Sequence, residues 1–498
     1  MTISFNTIPS NIRVPLFYAE VDNSQAGSFS QNQSILLIGQ KLAAGTASTD
    51  TPEIVNSTDD AKTLYGLGSM LARMHSSVRQ NDLAGEIWCI ALADDGGAVA
   101  ATGTITVTGP STAAGTLTLY IAGQRITVTV ASGDTATTIG AAITAAVTAA
   151  TELPVTAADV AGVVTLTCRW AGATGNDITI IENYRGNLGG EKTPAGVSLA
   201  IVAMASGATD PALSAAITAM GEEEYDFIIS PYSGTSQMDA LRTEMDDSTG
   251  RWSYSRQIYG HVYTAARDTF SNLQTLGSAR NDQHNTIAGY EVDTPNPVWE
   301  YAAAYGGRNA VYIKADPARP TQTGPLVGIL PPRVGNRFIL SERESLLNAG
   351  IATSVTRSGQ VLIGRSITTY QTNSFGQPDT SYLDSETMHT SAYVVRQLRF
   401  AVTTKYARHK LRDDGQNFGA GQAIVTPNIV RGAMLDVYTQ MEYLGIVENT
   451  ELFNQNLVVE RDVGDPNRIN VLFPADYVNQ LRVFALLNQF RLQYAEAA

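Results

Sequence analysis

Short apolar runs separated by stretches of helical periodicity constrain this chain more than any other feature. Residues 35–39 (ILLIG) are continuously apolar and end in glycine, the pattern of a strand buried on both faces. Residues 86–92 (EIWCIAL) read as another buried strand. Between them Ser57, Asp59 and Asp60 supply a cap and first-turn acids, Gly66 supplies a stop, and Met70, Leu71, Met74 and Val78 share one helix face. The alternation resumes downstream: strand 197–203, helix 213–220, strand 225–230, helix 238–245, strand 257–262, helix 270–276, strand 286–290 and a helix near 299–305. Strands alternating with helices predict a mostly parallel sheet flanked by helices.

The gap, residues 98–190, has a different composition. It holds eight charged residues in 93, and Thr and Ala dominate. Residues 104–108, 116–121, 126–130, Val163–Cys168 and 177–181 read as strands, and 137–150 as a small helix. A disordered linker would not alternate so regularly, so the segment is expected to be a small α+β domain inserted into the first. From about 325 the pattern changes again. Pro325, Pro331 and Pro332 punctuate it, and 346–352 and 360–370 look strand-containing. Helices are expected over 391–412 and 429–444, then strands over Val458–Arg461, 469–473 and 481–494.

Both ends read as arms. Ile12, Val14 and Leu16 alternate around Arg13 and Pro15, followed by Phe17 and Tyr18. The prolines confine any strand there to an edge or an added position, a buried first strand being the alternative. At the other end Leu481 and Val483 open a stretch in which Phe490, Leu492 and Tyr494 alternate with Gln489, Arg491 and Gln493, so that strand needs a partner surface. The expected architecture is α/β and multidomain: arm 1–34; a discontinuous α/β domain, 35–97 and 191–324; insert 98–190; an α+β C-terminal domain 325–480; and a C-terminal strand arm 481–498.

Catalytic patterns are scarce. The dipeptide Gly-Lys of a phosphate loop does not occur, and Gly66-Leu67-Gly68 and Gly419-Ala420-Gly421 lack the third glycine of a dinucleotide fingerprint. His75, His261, His284, His389 and His409 show no metal-ligand spacing, and Asp94-Asp95 and Asp413-Asp414 read as turn acids. No cofactor and no metal are expected. Cys89 and Cys168 suggest neither a disulfide framework nor a zinc site, which points to a reducing compartment. The first residues lack the basic and apolar regions of a secretory signal, and residues 96–124, though uncharged, hold Pro110 and too much Thr and Gly for a membrane helix. With 33 basic and 47 acidic residues, the net charge of −14 argues against general nucleic-acid binding. Only 16% of residues are charged, which leaves neutral surface for packing against copies of the same chain.

One charge pattern runs against the total. Arg396, Arg399, Lys405, Arg408, Lys410 and Arg412 fall between Ser391 and Arg412 with no acid among them. Val394, Val395, Leu398, Val402 and Tyr406 form an apolar stripe beside them. Two readings stand: a core helix with a solvated rim, or a cationic ridge aimed at an acidic partner.

Several segments carry a resemblance. Gly66-Leu67-Gly68-Ser69-Met70-Leu71 followed by Glu86-Ile87-Trp88, and the Ile12-Arg13-Val14-Pro15 opening, resemble the N-terminal part of tail sheath proteins of Mu-like contractile-tailed phages. Arg365-Ser366-Ile367-Thr368-Thr369-Tyr370-Gln371, Ser381-Tyr382-Leu383-Asp384 and Ile424-Val425-Thr426-Pro427 are similar to that family's C-terminal region. The resemblance implies a virion component and no enzyme, assembled in the host bacterial cytoplasm. Copies would stack as six-fold rings in a helical array around the tail tube protein, between baseplate and tail terminator proteins, without binding nucleic acid or inserting into a membrane. It implies that the arms add strands to neighbouring copies, that the insert lies outermost, and that the C-terminal domain lines the inner wall. On that footing Arg396, Arg399, Lys405, Arg408 and Lys410 would face the tube. The main rival is an α/β enzyme holding a nucleotide or sugar at the sheet's switch point. A second is a bacterial surface or adhesion protein, suggested by the Thr-rich insert.

Overall fold

The computed structural model describes residues 33–415, 418–419 and 421–493. Within them the chain forms a larger unit, residues 33–317 and 321–392, and a smaller one, residues 318–320 and 393–493. The arm positions Ile12, Val14, Leu16, Phe17 and Tyr18, together with Tyr494, lie outside the described residues.

The larger unit opens with β1 (Ile35–Gln40), all six residues buried, and the short edge strand β2 (Pro52–Ile54). Helices α1 (Thr58–Tyr65) and α2 (Met70–Asn81) follow, then β3 (Ile87–Leu92). The caps read from the sequence are present. Ser57 Oγ accepts from the Asp60 amide at 3.0 Å, and Gly66 ends α1 with φ at 91°, a conformation costly for other residues.

The insert leaves from the C-terminal end of β3. It comprises β4 (Thr102–Thr108), β5 (Gly115–Ile121), β6 (Gln124–Val130), α3 (Ala136–Ala149), β7 (Val155–Val160), β8 (Val163–Cys168), β9 (Ile180–Glu182) and β10 (Ser198–Ala205). Two sheets, ordered β10-β4-β8-β7 and β6-β5-β9, close around Ile139, Ile143 and Val147 of α3. The strand expected over 197–203 was assigned to the wrong sheet. It is β10, paired antiparallel with β4 in the register Leu199↔Val107, and the insert ends only where Val99 bridges Ala208. A run of Leu, Ile, Val and Met is apolar enough for either sheet; the pairing decides, and it leaves Val202 60% exposed.

The chain then returns through α4 (Ser214–Met220), β11 (Phe227–Ile229), α5 (Thr235–Met245), β12 (His261–Asp268), α6 (Phe270–Ser278), β13 (Asn285–Glu291) and α7 (Val298–Ala315). The main sheet is ordered β13-β12-β11-β1-β3-β2 and is parallel apart from β2. From central β1 the path steps to β3 on one side, then crosses to β11, β12 and β13 on the other. The strand order therefore reverses between β1 and β11.

Residues 325–392 remain with this unit instead of starting a new domain. The expected strand-containing region 346–352 opens with the last three residues of helix α8 (Leu340–Asn348), and only Ala352 meets a sheet, bridging Ala288 on the outer edge of β13. The hairpin of β14 (Thr353–Arg357) and β15 (Gln360–Arg365) leads to helix α9 (Ser385–Tyr406), and the Thr369 amide donates to Asn285 O at 2.9 Å. An edge strand with open main-chain groups takes up whatever chain can satisfy them. The division falls within α9, after Ala392.

The smaller unit holds the rest of α9, β16 (Lys410–Leu411), β17 (Ile424–Val425), α10 (Pro427–Tyr443), α11 (Thr450–Asn456), β18 (Val458–Arg461) and β19 (Ile469–Leu472). Thr426 caps α10, and Pro427 stands at its first turn where no amide is needed. Tyr438 and Phe453 stack at 3.7 Å in its core.

Candidate assembly surfaces

In a parallel sheet with this strand order a ligand would sit at the C-terminal strand ends, beside the β1/β11 switch point. Here protein fills that position. Gln40, fully buried at the end of β1, donates through Nε2 to Asp94 Oδ1 and to Ala171 O, each at 2.7 Å, and the Tyr232 hydroxyl donates to its Oε1 at 3.3 Å. Trp170 of the insert packs edge-on against Trp299 with ring centroids 5.0 Å apart. Arg267, at the end of β12, pairs with Asp177 of the insert at 3.3 Å. Beside this pair lies a cavity of about 520 Å³, lined among others by Ile178, Ile180, Thr269, Glu291 and Phe338.

Cys89, Cys168, His75 and the acid pair Asp94-Asp95 sit in structural surroundings. Burial pushes the thiols of Cys89 and Cys168 up to about 12, far from a thiolate at neutral pH. His75 is buried with Nε2 at 3.0 Å from Val55 O. Asp95 accepts from the Gly97 amide at 2.8 Å, as a turn acid does, whereas Asp94 ties β1 to the insert. Among the described residues no three His, Cys, Asp or Glu side chains converge as a metal site.

Assembly surfaces are plentiful. Residues 481–493 carry no strand of their own. Over its described part, 481–493, the expected strand is thus not formed among the described residues, because a strand exists only against an edge that pairs with it. Leu481, Val483, Phe484, Leu486, Leu487, Phe490 and Leu492 are each at least 70% exposed. So continuous a run of exposed apolar side chains is not stable surface for an isolated molecule. In the smaller unit, among the described residues, β18 and β19 form a two-stranded sheet, as do β16 and β17. Between them lies a groove of about 320 Å³ lined by Val402, Tyr406, Leu411, Val425, Met434 and Ile469. Sequence reasoning missed this groove, since its walls come from five separate elements.

The basic run divides. α9 ends at Tyr406, and the Lys410–Leu411 strand pairs with Ile424–Val425, so Arg408, Lys410 and Arg412 lie beyond the helix. Arg396 is only 5% exposed and does not belong to an outward ridge. Arg399, Arg408 and Lys410 are exposed, and Lys405 is half-buried. Of the apolar stripe, Val394 is buried and Leu398 and Tyr406 pack on the core, while Val395 and Val402 remain over a third exposed.

Comparison with known proteins assigns these parts. Residues 206–369 match the phage tail sheath protein central domain, and residues 377–491 match the phage tail sheath C-terminal domain. The first match starts where the insert ends. The Mu-like prophage FluMu tail sheath protein of Haemophilus influenzae is 39% identical over 496 residues, covering 99% of this chain and 100% of that protein. The crystal structure of the sheath tail protein from Desulfitobacterium hafniense shares the fold, with a TM-score of 0.51 at 12% identity over 94% of this chain and 97% of that one. A full-length relative and two sheath domains in sequence leave one assignment: the chain belongs to the phage tail sheath proteins and is a structural part of the virion tail.

Proposed function

We propose that copies of this chain join through their terminal segments into stacked six-fold rings, a helical array around the tail tube that contracts to drive the tube through the host envelope. The observation that carries this reading is the exposed apolar segment Leu481 to Leu492, which forms no strand among the described residues, in a unit that also holds two two-stranded sheets. Strand addition supplies main-chain hydrogen bonds and alternate side-chain pockets. The groove beneath Tyr406 and Ile469 is a bed for such a segment from another copy. Because donor and acceptor are different surfaces, the contact does not close on itself and propagates as a helix. Energy for contraction is stored at assembly in a kinetically trapped arrangement. Assembly in the host cytoplasm, contacts with baseplate and terminator proteins, and an outward-facing insert belong to the same reading. Electron microscopy of the purified protein tests it: long hollow tubes are expected, and compact particles alone would reject it.

The basic run, with Arg399, Arg408 and Lys410 exposed and Lys405 half-buried, carries a second expectation. Arg399, Lys405, Arg408 and Lys410 face the tube in this proposal, with Arg396 left out on account of its burial. Exposed ion pairs are worth only about 0.2–1 kcal/mol each, a grip that repeats over every copy yet releases on contraction. Changing these four to Gln is expected to spare folding and sheath–sheath contacts but to weaken assembly on tubes, and raised salt should mimic the change. Co-sedimentation with tubes across a salt series decides; binding by the wild-type chain that ignores salt would leave these residues as a solvated rim.

A further inference from the structure

Two histidines that the sheath reading leaves without a role meet inside the larger unit. His261 on β12 is fully buried, and His389 on the second turn of α9 is 4% exposed; their ring centroids are 5.6 Å apart. The His389 ring lies nearly parallel to Phe227 of β11 at 4.7 Å and to Tyr263 of β12 at 6.2 Å. The Tyr263 hydroxyl and His389 Nε2 are 3.1 Å apart. His261 Nε2 stands 2.8 Å from Thr286 Oγ1 on β13, and its Nδ1 is buried with no partner. The beginning of α9 thus rests on the central sheet through an imidazole held among aromatic rings.

The charged and titratable groups around the pair have other engagements. Glu386, one turn earlier on α9, accepts from the Thr321 amide at 2.9 Å and from its hydroxyl at 3.0 Å. From α7, Lys314 lies 5.7 Å from the Phe227 ring centroid and pairs with Asp82 at 3.1 Å, and Tyr305 stands 6.5 Å from Tyr263. His284, just before β13, pairs with Asp247 at 2.8 Å. Asp226, just before β11, accepts from the Ser34 amide at 3.1 Å.

We propose that His261 and His389 form an acid-sensitive latch, in which proton uptake unseats the first two turns of α9 from the main sheet. A proton on His389 leaves both ring nitrogens as donors, so Nε2 can only donate to the Tyr263 hydroxyl, which must then turn its own proton elsewhere in a dry site. A proton on His261 finds no carboxylate within its immediate partners. Two imidazolium rings at this spacing repel each other where water cannot screen them. The direction of titration agrees: burial, then the neighbouring His389 and His284, hold His261 well below the ordinary histidine range. A group depressed in the latched state stabilises that state above the ordinary histidine pKa, and the contribution is lost as pH falls below it. The helix concerned is the one through which the chain passes from the larger unit to the smaller after Ala392.

Hydrogen exchange read by mass spectrometry on the full chain, corrected for intrinsic rates, tests the latch. Between about pH 7 and about pH 5, protection of residues 385–392 is expected to fall about tenfold or more, a pK unit's worth of linkage, while α3 of the insert stays protected. His389→Gln keeps an acceptor for Tyr263 and cannot titrate in this range, so it should remove most of the response; His75→Gln should leave it intact. Unchanged protection of 385–392 in the wild-type chain, equal loss in α3, or an undiminished response in His389→Gln would overturn the proposal. The wild-type measurement decides alone if that variant does not fold.

Discussion

A chain lacking residues 481–498 is expected to fold and to remain monomeric. Among the described residues neither core cluster includes a side chain from 481–493: the cluster of the smaller unit ends with partly buried Phe473, Ala475 and Tyr477, and Tyr477 already bridges Val447. The seven apolar side chains between Leu481 and Leu492 contribute almost no burial within the chain. Laid into an edge of another copy they would each gain about 1.5–3 kcal/mol on full burial, less the cost of ordering the segment. Their loss therefore removes the polymer and leaves the fold. Sedimentation and electron microscopy are the measurements, with thermal unfolding as the control for folding. Tubes of normal length from the shortened chain would sink the arm proposal, whereas a shortened chain that fails to unfold cooperatively would show the segment to be part of the core.

How far the sequence reached follows from what each residue pattern determines. Continuous apolar runs located β1, where the run ends at glycine, and β3, and the caps at Ser57 and Gly66 stand where their chemistry placed them. The motifs Arg365 to Gln371 and Ile424 to Pro427, with the full-length order of the others, were enough to point to the family that the comparisons show. Pairing was not legible. The stretch of β10 is apolar at almost every position, which is also the mark of a central parallel strand, so it was given to the wrong sheet and the insert was drawn too short at its end. The first turns of α8 carry Ser, Glu and Arg, and its apolar end Leu346-Leu347 alone suggested a strand. Arg396 looked like one cation among six because periodicity counts charge but does not see that a long side chain can be buried along its stem. The groove of the smaller unit could not be found at all, since no local pattern announces walls drawn from α9, β16, β17, α10 and β19.

Removal of the insert is expected to have opposite outcomes depending on where it is cut. Excision of residues 98–190 leaves β10 in the chain without β4, an eight-residue strand with open main-chain groups and an exposed Val202, and such an edge aggregates. Excision of residues 100–207 instead joins Val99 to Ala208, which already bond to each other at 3.1 Å in both directions, so a short Gly/Ser link spans them. The second product keeps the main sheet from β13 to β2 whole and should fold, but less stably. The insert also covers the main domain: Trp170 meets Trp299, Gln40 reaches Ala171, and Arg73 of α2 donates to Glu152 O at 2.6 Å. Trp170→Ala isolates the largest of these contacts and is expected to cost about 3–5 kcal/mol. Val160→Ala, on the solvent side of β7, should cost within about 0.5 kcal/mol. Denaturant unfolding of the two variants, compared at unchanged slope, separates a fused insert from an independent one. A loss below about 1 kcal/mol for Trp170→Ala would mean that the insert closes on itself and only decorates the sheath subunit.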